Sequence, residues 1–367
     1  MIENIEIKGY KSIKEANIDL SHINILIGAN GVGKSNFVSF FKLINAIFDR
    51  RLQKYIAEQG ADNILHFGRK HTEKLVGKMI FTEDNVSNNS YIFGLSQNQT
   101  GGLYLDYEGS GYNVEKEDNG HNYFYNHDIE ESEFSTSNYK RHRILKDYIS
   151  SLKVFHFHDT SSTSFLRREC DIDDNLYLKQ DGRNLPAFLY LLKIKHPIIY
   201  HRIEKIIQSV APYISKFILE PKRIDEKKIE LRWVDAGDTE SSFDVYQLSD
   251  GTIRFIALTA LLMQPTPPAV IIIDEPELGL HPFAIGKLAG MIQAASEKSQ
   301  IIIGTQSPGL ISHFTPEDVI VMDKSVEENQ TIFKRLTTES LKLWLEEYSL
   351  GELWERDIIN GAQPFNK

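Results

Sequence analysis

The stretch "GANGVGKS", Gly28 to Ser35, decides the fold of this 367-residue chain. An apolar run of strand length, Ile23 to Gly28, precedes it, and apolar residues at helical spacing follow it. A loop of the form G-x-x-x-x-G-K-S between a strand and a helix is typical of a cradle for phosphate groups. Its glycines let successive backbone N–H groups face one concavity, and the positive end of the helix adds to the attraction for anions. The sequence therefore predicts an α/β fold with a nucleotide-phosphate site.

Two side chains of this loop carry specific chemistry. The Lys34 ammonium can reach the β- and γ-phosphates of a nucleotide, and the Ser35 hydroxyl can ligate Mg²⁺. We therefore expect ATP and Mg²⁺ as cofactors. The alternative is a glycine turn before an ordinary helix, and the strand before the loop argues against it. The residues expected to contact the nucleotide here are Asn30, Gly31, Val32, Gly33, Lys34, Ser35 and Asn36.

A second motif, "AVIIIDEPELGLHP" from Ala269 to Pro282, is an apolar strand that ends in two acids. In open α/β sheets ligands bind at the carboxyl ends of the strands, so both carboxylates are expected at that edge. Asp274 would hold the magnesium ion, directly or through water, together with Ser35. Glu275 would orient or deprotonate the attacking water. The alternative, a strand that ends in a solvated turn, loses weight because the phosphate loop lies upstream.

The stretch "QLSDGTIRFIAL", Gln247 to Leu258, predicts a buried helix with a polar start. The N-terminus of that helix, after Gly251, has free N–H groups, and Ser249 adds a hydroxyl. Together these groups would form a second anion site. The alternative is that Ser249 is a plain N-cap on a core helix.

Composition limits the classes of function. The net charge of −10 argues against a protein that coats nucleic acid or an anionic membrane with its whole surface. The single cysteine, Cys170, permits no internal disulfide and fits a reducing compartment such as the cytoplasm. The N-terminal stretch lacks the apolar core of a signal peptide, and no apolar run approaches the ~18 residues of a membrane span, so we expect no membrane partner.

Several other segments of the chain have patterns that predict secondary structure. The N-terminal stretch predicts two alternating strands, and strands alternate with helices again after Phe243, as in a mostly parallel sheet covered by helices. Helices are predicted at Leu185–Lys195 and Ile199–Val210. The acidic segment from Asp106 to Glu133 predicts exposed hairpin tips or a mobile loop.

In their order, these motifs resemble those of ABC-type ATPases, and more narrowly the RecF/SMC-like predicted ATPases of the AAA_21 and AAA_15 kind. "LSDGT" resembles the signature motif of that family, "ELGLHP" its D-loop region and "GTQSPGLI" its switch segment. The stretches "DGRNLPAFLYLL" and "YSLGELWERDIINGAQP" also resemble such ATPases. The resemblance thus spans nearly the whole chain.

The resemblance implies a P-loop NTPase fold of the α/β class, an ABC-type ATPase head with an N-terminal antiparallel β lobe and a mixed β/helical middle insertion. We expect residues 1–59 to hold the β lobe and the phosphate-loop part of the core. Residues 60–221 would form the insertion of β-hairpins and helices. Residues 222–367 would hold the signature, the carboxylate strand, the switch and a short C-terminal tail.

The resemblance also implies a head-to-head homodimer with ATP at the interface. Ser249 and Gly251 of one chain would then act on the γ-phosphate that its twin holds. Glu275, Lys34 and the switch residue Gln306 are the expected catalytic residues. Lys11, with Ser12 in "GYKSIK", matches the place where family members approach the nucleotide base, although a surface turn is the alternative.

Two residues depart from the family pattern. Asp250 is an acid beside a proposed anion site, so it must point away from phosphate or act through water or a cation. Gln306 stands where histidine is frequent, and glutamine cannot carry a proton at neutral pH. We therefore expect slow turnover, with most of the hydrolytic step on Glu275.

The favoured function is an ATP-driven dimerising switch that acts on DNA or on an effector protein, in anti-phage defence or genome maintenance. The alternative is a nucleotide-binding scaffold with little hydrolysis that holds a separate nuclease or toxin. A fused nuclease is not expected, because the stretch after "VIVMDK" is too short for a domain of ~100 residues. The N-terminal "IEIKGYKSIKEANIDL", the insertion and the tail argue against a transporter cassette.

Other polar clusters carry weaker signals. His156 and His158 alternate along one strand, but no third metal ligand accompanies them in sequence, so an ordinary strand end is preferred. "FLRREC" and "EPKRIDEKKIELR" are modestly basic with acids beside the basic residues, which predicts solvated faces.

Overall fold

The computed structural model describes residues 1–83, 87–99, 101–112, 121–139, 142–325 and 327–359. Its strands are β1 Ile2–Tyr10, β2 Ile13–Asp19, β3 Ile23–Ile27, β4 Lys74–Glu83, β5 Ser87–Gln97, β6 Leu103–Tyr112, β7 His121–Ile129, β8 Leu152–Phe155, β9 Cys170–Asp171, β10 Ile214–Ile218, β11 Lys228–Ile229, β12 Arg232–Asp235, β13 Ser242–Asp244, β14 Val270–Asp274, β15 Gln300–Gly304, β16 Val319–Ser325 and β17 Gln330–Arg335. Its α-helices are α1 Lys34–Phe48, α2 Leu52–Gln59, α3 Ala61–Ile64, α4 His142–Ser150, α5 Leu185–Lys195, α6 Pro197–Val210, α7 Asp250–Met263, α8 Pro282–Ser296, α9 Pro308–Ile311, α10 Thr338–Leu345 and α11 Leu350–Glu355.

The core sheet has the strand order β17-β16-β3-β15-β14-β8. Its strands are parallel except β17, which runs antiparallel to β16. The three central strands are almost wholly apolar because both of their faces are buried. Asp274 pairs with Gly304, and Gly304 pairs with Leu26. This register brings the segments that follow β3, β14 and β15 to one edge of the sheet.

A second sheet, antiparallel and six-stranded, has the order β2-β1-β4-β5-β6-β7. Helix α1 packs between the two sheets, with Phe37, Phe40 and Phe41 fully buried in a shared core. The Phe40 ring stacks on Phe93 of β5 at 6.1 Å between centroids. Helices α5 to α8 cover the other face of the core sheet. The predicted fold class, an ABC-type α/β head with an antiparallel β lobe, is confirmed.

The expectation of hairpin tips or a mobile loop at Asp106–Glu133 is wrong for most of that segment. Strands β6 and β7 pair antiparallel across it, while residues 113–120 lie outside the described part of the chain. Glu108, which lies in this segment, is fully buried and accepts hydrogen bonds of 2.6 Å from Tyr91 and Ser132. Its polar partners come from distant positions, so local composition did not reveal the strand.

The antiparallel sheet takes β1 and β2 from the predicted N-terminal region and β4 to β7 from the predicted insertion. Strand β8, also in the predicted insertion, forms the edge of the core sheet. The proposed division at residues 59 and 221 stays a prediction. Among the helices of the described ranges, none has the length and apolar character needed to cross a membrane.

Candidate functional site

The phosphate loop joins β3 to α1 at the carboxyl edge of the core sheet. Gly31 and Gly33 have φ of 82° and 116°, which a side chain would oppose. A Cβ on Gly33 would also lie 2.5 Å from Ser12 Oγ and from Thr331 Oγ1. The loop therefore requires glycine there both for its backbone angles and for close packing against neighbouring strands.

Lys34 is the first residue of α1 and is almost fully buried. Its ammonium donates to the carbonyl oxygens of Gly28 and Ala29, the latter at 3.2 Å, and so lies over the loop. Burial lowers the pKa of Lys34, while Asp274 and Glu275 act in the opposite direction. The charge of Lys34 thus interacts with the carboxylates of Asp274, Glu275 and Glu277.

Ser35 and Asp274 meet as the sequence predicts. The Ser35 hydroxyl donates to Asp274 Oδ2 at 2.8 Å. The other carboxylate oxygen, Oδ1, is buried and has no hydrogen-bond partner among the described residues. Burial raises the pKa of Asp274, although the bond from Ser35 lowers it. An unpartnered carboxylate oxygen beside a hydroxyl is a donor set that fits Mg²⁺, so these two residues would hold the ion.

Glu275 follows β14 in a left-handed conformation, with φ of 43°. Its backbone N–H donates to the Gly304 carbonyl at 2.7 Å, which anchors the strained residue. The Gln306 amide donates to Glu275 Oε1 at 3.2 Å and to Asn30 Oδ1 at 2.6 Å. The structure therefore brings Asn30, Glu275 and Gln306 together in one hydrogen-bonded group.

A third acid, Glu277, supports this group and was not singled out from the sequence. It is largely buried, and Thr305 Oγ1 donates to its Oε1 at 2.5 Å. Burial raises the pKa of Glu277. The Ser307 N–H in turn donates to Thr305 Oγ1 at 3.0 Å, so Glu277 fixes the segment around Gln306. The available sequence signal for this residue was its place as the first residue of the D-loop stretch "ELGLHP".

The signature stretch forms the exposed start of α7. Ser249 is the N-cap, and its Oγ accepts from the Thr252 N–H at 3.2 Å, as the simple N-cap interpretation requires. Gly251 packs closely on the D-loop region, because a Cβ there would lie 2.4 Å from the Gly279 carbonyl oxygen. In the described part of the chain, no hydrogen bond joins Ser249 or Gly251 to the phosphate loop of the same chain.

The Asp250 carboxylate forms an ion pair with Arg167, with 2.9 Å between Oδ1 and Nη2. The Arg167 side chain is 5% exposed, and it also donates to the carbonyls of Val245 and Leu248 at 2.7 and 3.1 Å. The solvated face predicted for "FLRREC" is therefore wrong at Arg167. Its partners are backbone carbonyls far along the chain, which sequence alone does not show. The sequence alone left Asp250 pointing away from phosphate or acting through water or a cation. In the structure its partner is a cation, the Arg167 guanidinium.

His158 and Arg254 connect the signature helix to the carboxylate strand. Arg254 of α7 is 4% exposed and donates to the carbonyls of Phe157 and His158, both at 2.9 Å. The His158 Nε2 lies 2.5 Å from the Asp274 carbonyl oxygen. His158 thus has a structural partner of its own. Within the described ranges no group of three or more His, Cys, Asp or Glu side chains could hold a metal.

Lys11 lies beside the first turns of α1. Its ammonium donates to Ser39 Oγ at 2.9 Å, and burial lowers its pKa. The next residue, Ser12, accepts from Asn36 Nδ2 at 2.9 Å. The "GYKSIK" turn is therefore joined to the helix of the phosphate loop, and a contact of Lys11 with nucleotide stays a prediction.

The fold has counterparts among solved structures. A crystal structure of an Smc head bound to the C-winged helix domain of ScpA aligns with a TM-score of 0.59 at 16% identity, covering 93% of this chain and 99% of that one. An Smc head domain with an extended coiled coil, bound to the C-terminal domain of ScpA from Pyrococcus furiosus, aligns with a TM-score of 0.57 at 15% identity, covering 94% and 98%. At these identities the likeness shows the fold alone.

No curated protein matches the sequence of this chain. A family model does: the family described as "AAA domain, putative AbiEii toxin, Type IV TA system" matches residues 23–312. That range begins at β3 and includes the phosphate loop, the signature, the carboxylate strand and the switch segment. Because the match covers most of the sequence, the chain belongs to this family of AAA domains, whose fold here is that of an SMC-like P-loop ATPase head.

Proposed function

We propose that the protein is an ATP-binding and ATP-hydrolysing head that dimerises around ATP and switches an activity directed at DNA or at an effector protein. The observation that carries this proposal is the group at one edge of the core sheet. There Lys34 and Ser35 face Asp274, while Gln306 links Glu275 to Asn30. A phosphate cradle, a metal-binding pair and a candidate base thus adjoin one another.

In this proposal each side chain has one task. The loop N–H groups and the Lys34 ammonium hold the β- and γ-phosphates. Bound Mg²⁺, held by Ser35 and Asp274, would supply neutralisation of phosphate charge. Glu275 accepts the proton of the water that attacks the γ-phosphorus, and the bond to the bridging oxygen breaks to release ADP and phosphate. Gln306 orients that water or donates to the γ-phosphate.

The dimer in the proposal places Ser249 and Gly251 of one chain on the γ-phosphate of its twin. The start of α7 is exposed, and Arg167 compensates the charge of Asp250 beside it. In and just after the D-loop region that Gly251 contacts, Leu278 and Phe283 are 49% and 54% exposed. Exposed apolar side chains around an anion site suit an interface between two proteins.

The test measures ATPase rate per chain against protein concentration, for the wild type and for Glu275→Gln. A rate that rises steeply with concentration supports a site assembled from two chains. Glu275→Gln should lose most hydrolysis while forming ATP-dependent dimers in size-exclusion runs. Normal hydrolysis by Glu275→Gln would contradict the role of this residue.

A second candidate is a nucleotide-binding scaffold with little hydrolysis. The observation that favours it is the Gln306 side chain, which is already hydrogen-bonded to Asn30 and Glu275 and cannot carry a proton. Single-turnover hydrolysis separates the two candidates. A wild-type rate no higher than that of Glu275→Gln, with ATP binding intact, would favour the scaffold.

The downstream partner is proposed as DNA or a separate nuclease or toxin protein, in anti-phage defence. The family description, which names a putative toxin, supports an effector context. An electrophoretic mobility assay with the ATP-bound Glu275→Gln dimer tests the DNA branch. Co-purification with the products of neighbouring genes tests the effector branch.

A further inference from the structure

A second cleft lies between α1, α2 and the edge of the core sheet at β8. Its volume is about 370 Å³, and its lining includes Lys42, Arg51, Lys54, His156 and Gln180. That volume falls within the ~300–1,000 Å³ of small-molecule sites. The cleft uses none of the residues assigned above to ATP, so it is a separate feature of the molecule.

The cleft concentrates basic groups in a chain whose net charge is −10. Arg51 is paired with Asp49 at 2.6 Å, and Lys54 approaches Glu58 only to 3.9 Å. Lys42 forms no ion pair or hydrogen bond with any residue of the described ranges. Burial lowers the pKa of Lys42 and the charge of Asp274 opposes this, so Lys42 interacts with a carboxylate at longer range and has no direct partner in the described ranges.

His156 adds an unsatisfied donor or acceptor to the same wall. Its Nε2 is buried and has no hydrogen-bond partner among the described residues. Burial, and secondarily the charges of Lys42 and His158, lower the pKa of His156 to about 4. A neutral imidazole carries one N–H that can donate to an anion. Leaving such an atom buried and unpaired costs free energy, which an anion in the cleft would recover once the imidazole turns Nε2 toward it.

We propose that this cleft binds a phosphate-bearing anion, with Lys42 and His156 as its principal contacts and Gln180 as a further donor. A phosphate group carries close to two negative charges at neutral pH and three acceptor oxygens, so it can satisfy groups from several elements at once. A single carboxylate offers less charge and fewer acceptors. The site lies on α1, whose other end holds the phosphate loop, and goes beyond the proposed ATPase function.

Isothermal titration of the full chain with inorganic phosphate and with adenosine monophosphate tests the proposal. Lys34→Ala serves as the background, because it disables the phosphate loop. Phosphate binding should persist in Lys34→Ala and weaken at least about tenfold when Lys42→Met is added, since a charge-assisted contact is lost. Lys42→Arg should retain binding. Lys205→Met, an exposed lysine on α6, is the matched control and should change nothing.

Two results would overturn the proposal. One is phosphate binding that disappears in Lys34→Ala but survives Lys42→Met, which would assign all binding to the phosphate loop. The other is the absence of phosphate and nucleotide binding in Lys34→Ala. Tighter binding of adenosine monophosphate than of free phosphate would support the site and identify a nucleotide as its ligand. Because no step measures ATP hydrolysis, failure here leaves the proposed ATPase untouched.

Discussion

Asp250 is the residue at which the sequence conflicts with the proposed anion site. Arg167 resolves the conflict in the structure, since its buried guanidinium pairs with the acid and also holds two backbone carbonyls in front of α7. The acid was visible in the sequence, whereas its partner lies 83 positions away and became apparent only in the fold. Pairing at that sequence separation follows from the path of the chain and from no local pattern.

The first prediction concerns this pair. Arg167→Ala should lower ATPase activity and destabilise the protein by about 1–3 kcal/mol, because carbonyls that Arg167 satisfies lose a donor. Asp250→Asn in the same chain should restore part of the activity without restoring the stability, since it removes only the uncompensated charge. Steady-state kinetics and denaturant unfolding measure the two effects. Arg168→Ala, an exposed neighbour, is the control; equal losses there would refute a specific role for Arg167.

The second prediction concerns Asp274, whose pKa is raised chiefly by burial. A carboxyl group with a pKa higher in the folded than in the unfolded state destabilises the fold once it is ionised, and that penalty is relieved as the pH falls through the raised pKa. Without metal at neutral pH, Asp274→Asn should therefore raise the melting temperature. With Mg²⁺ and ATP the order should reverse, because only the wild type gains from metal binding.

Thermal unfolding in chelator and in Mg²⁺–ATP measures both halves of this prediction. Ser35→Ala is the companion variant, since it keeps the carboxylate but removes a hydroxyl that lowers its pKa. It should not be more stable than the wild type in chelator. A lower melting temperature of Asp274→Asn in chelator would show that burial of the carboxylate is not the dominant cost.

At the scale of elements, hydrophobic periodicity and the placement of glycines were sufficient to predict the main strands and helices of the core sheet. The apolar runs at β3, β14 and β15 form central strands, and the polar start of α7 is exposed as expected. The prediction of hairpin tips or a mobile loop at Asp106–Glu133 failed because it was based on average composition. In a β-sheet, alternate residues face opposite sides, so an acidic segment can still bury one face. The pairing of β6 with β7 contradicts the expectation, and the buried Glu108 with its two hydroxyl partners shows how such a sheet accommodates an acid.

Helix α7 is also the element that links the two halves of the proposed site. Its Arg254 holds the segment just after β8 by donating to the carbonyls of Phe157 and His158, and His158 contacts the backbone of Asp274. A displacement of β14 would therefore be transmitted to α7 through these hydrogen bonds. This contiguity is a structural route for coupling, and two discrete arrangements of α7 would be needed to make it a switch.

The third prediction tests the seating of α7 with two glycines. Gly251→Ala should destabilise the protein by about 1–3 kcal/mol and reduce ATPase activity, because its Cβ would meet the Gly279 carbonyl at 2.4 Å. Gly290→Ala in α8 meets nothing within 4 Å and should stabilise by about 0.5–1 kcal/mol through helix propensity. Denaturant unfolding checks both. Equal stability of the two variants would argue that α7 does not depend on this close contact.

At the scale of the whole molecule, the family match and the SMC-like head fold were within reach of the sequence, because motif order survives where overall identity falls to 16%. The head-to-head dimer that the resemblance implies stays a prediction. Ser249 lies at an exposed helix start and makes no hydrogen bond to the phosphate loop of its own chain in the described ranges. Use of this helix start by a second copy stays part of the proposed function, and a mixed assembly tests it.

The fourth prediction uses such a mixture. Lys34→Ala removes the phosphate contact and Ser249→Arg blocks the signature, so each variant alone should be inactive. In an equal mixture about half of the dimers contain both variants, and each of these has one of its two sites intact, so activity should return to about a quarter of the wild-type rate. Two Lys34→Ala preparations mixed together are the control. If the mixed variants stay inactive although they form heterodimers, each chain completes its own site and the shared-site dimer is refuted.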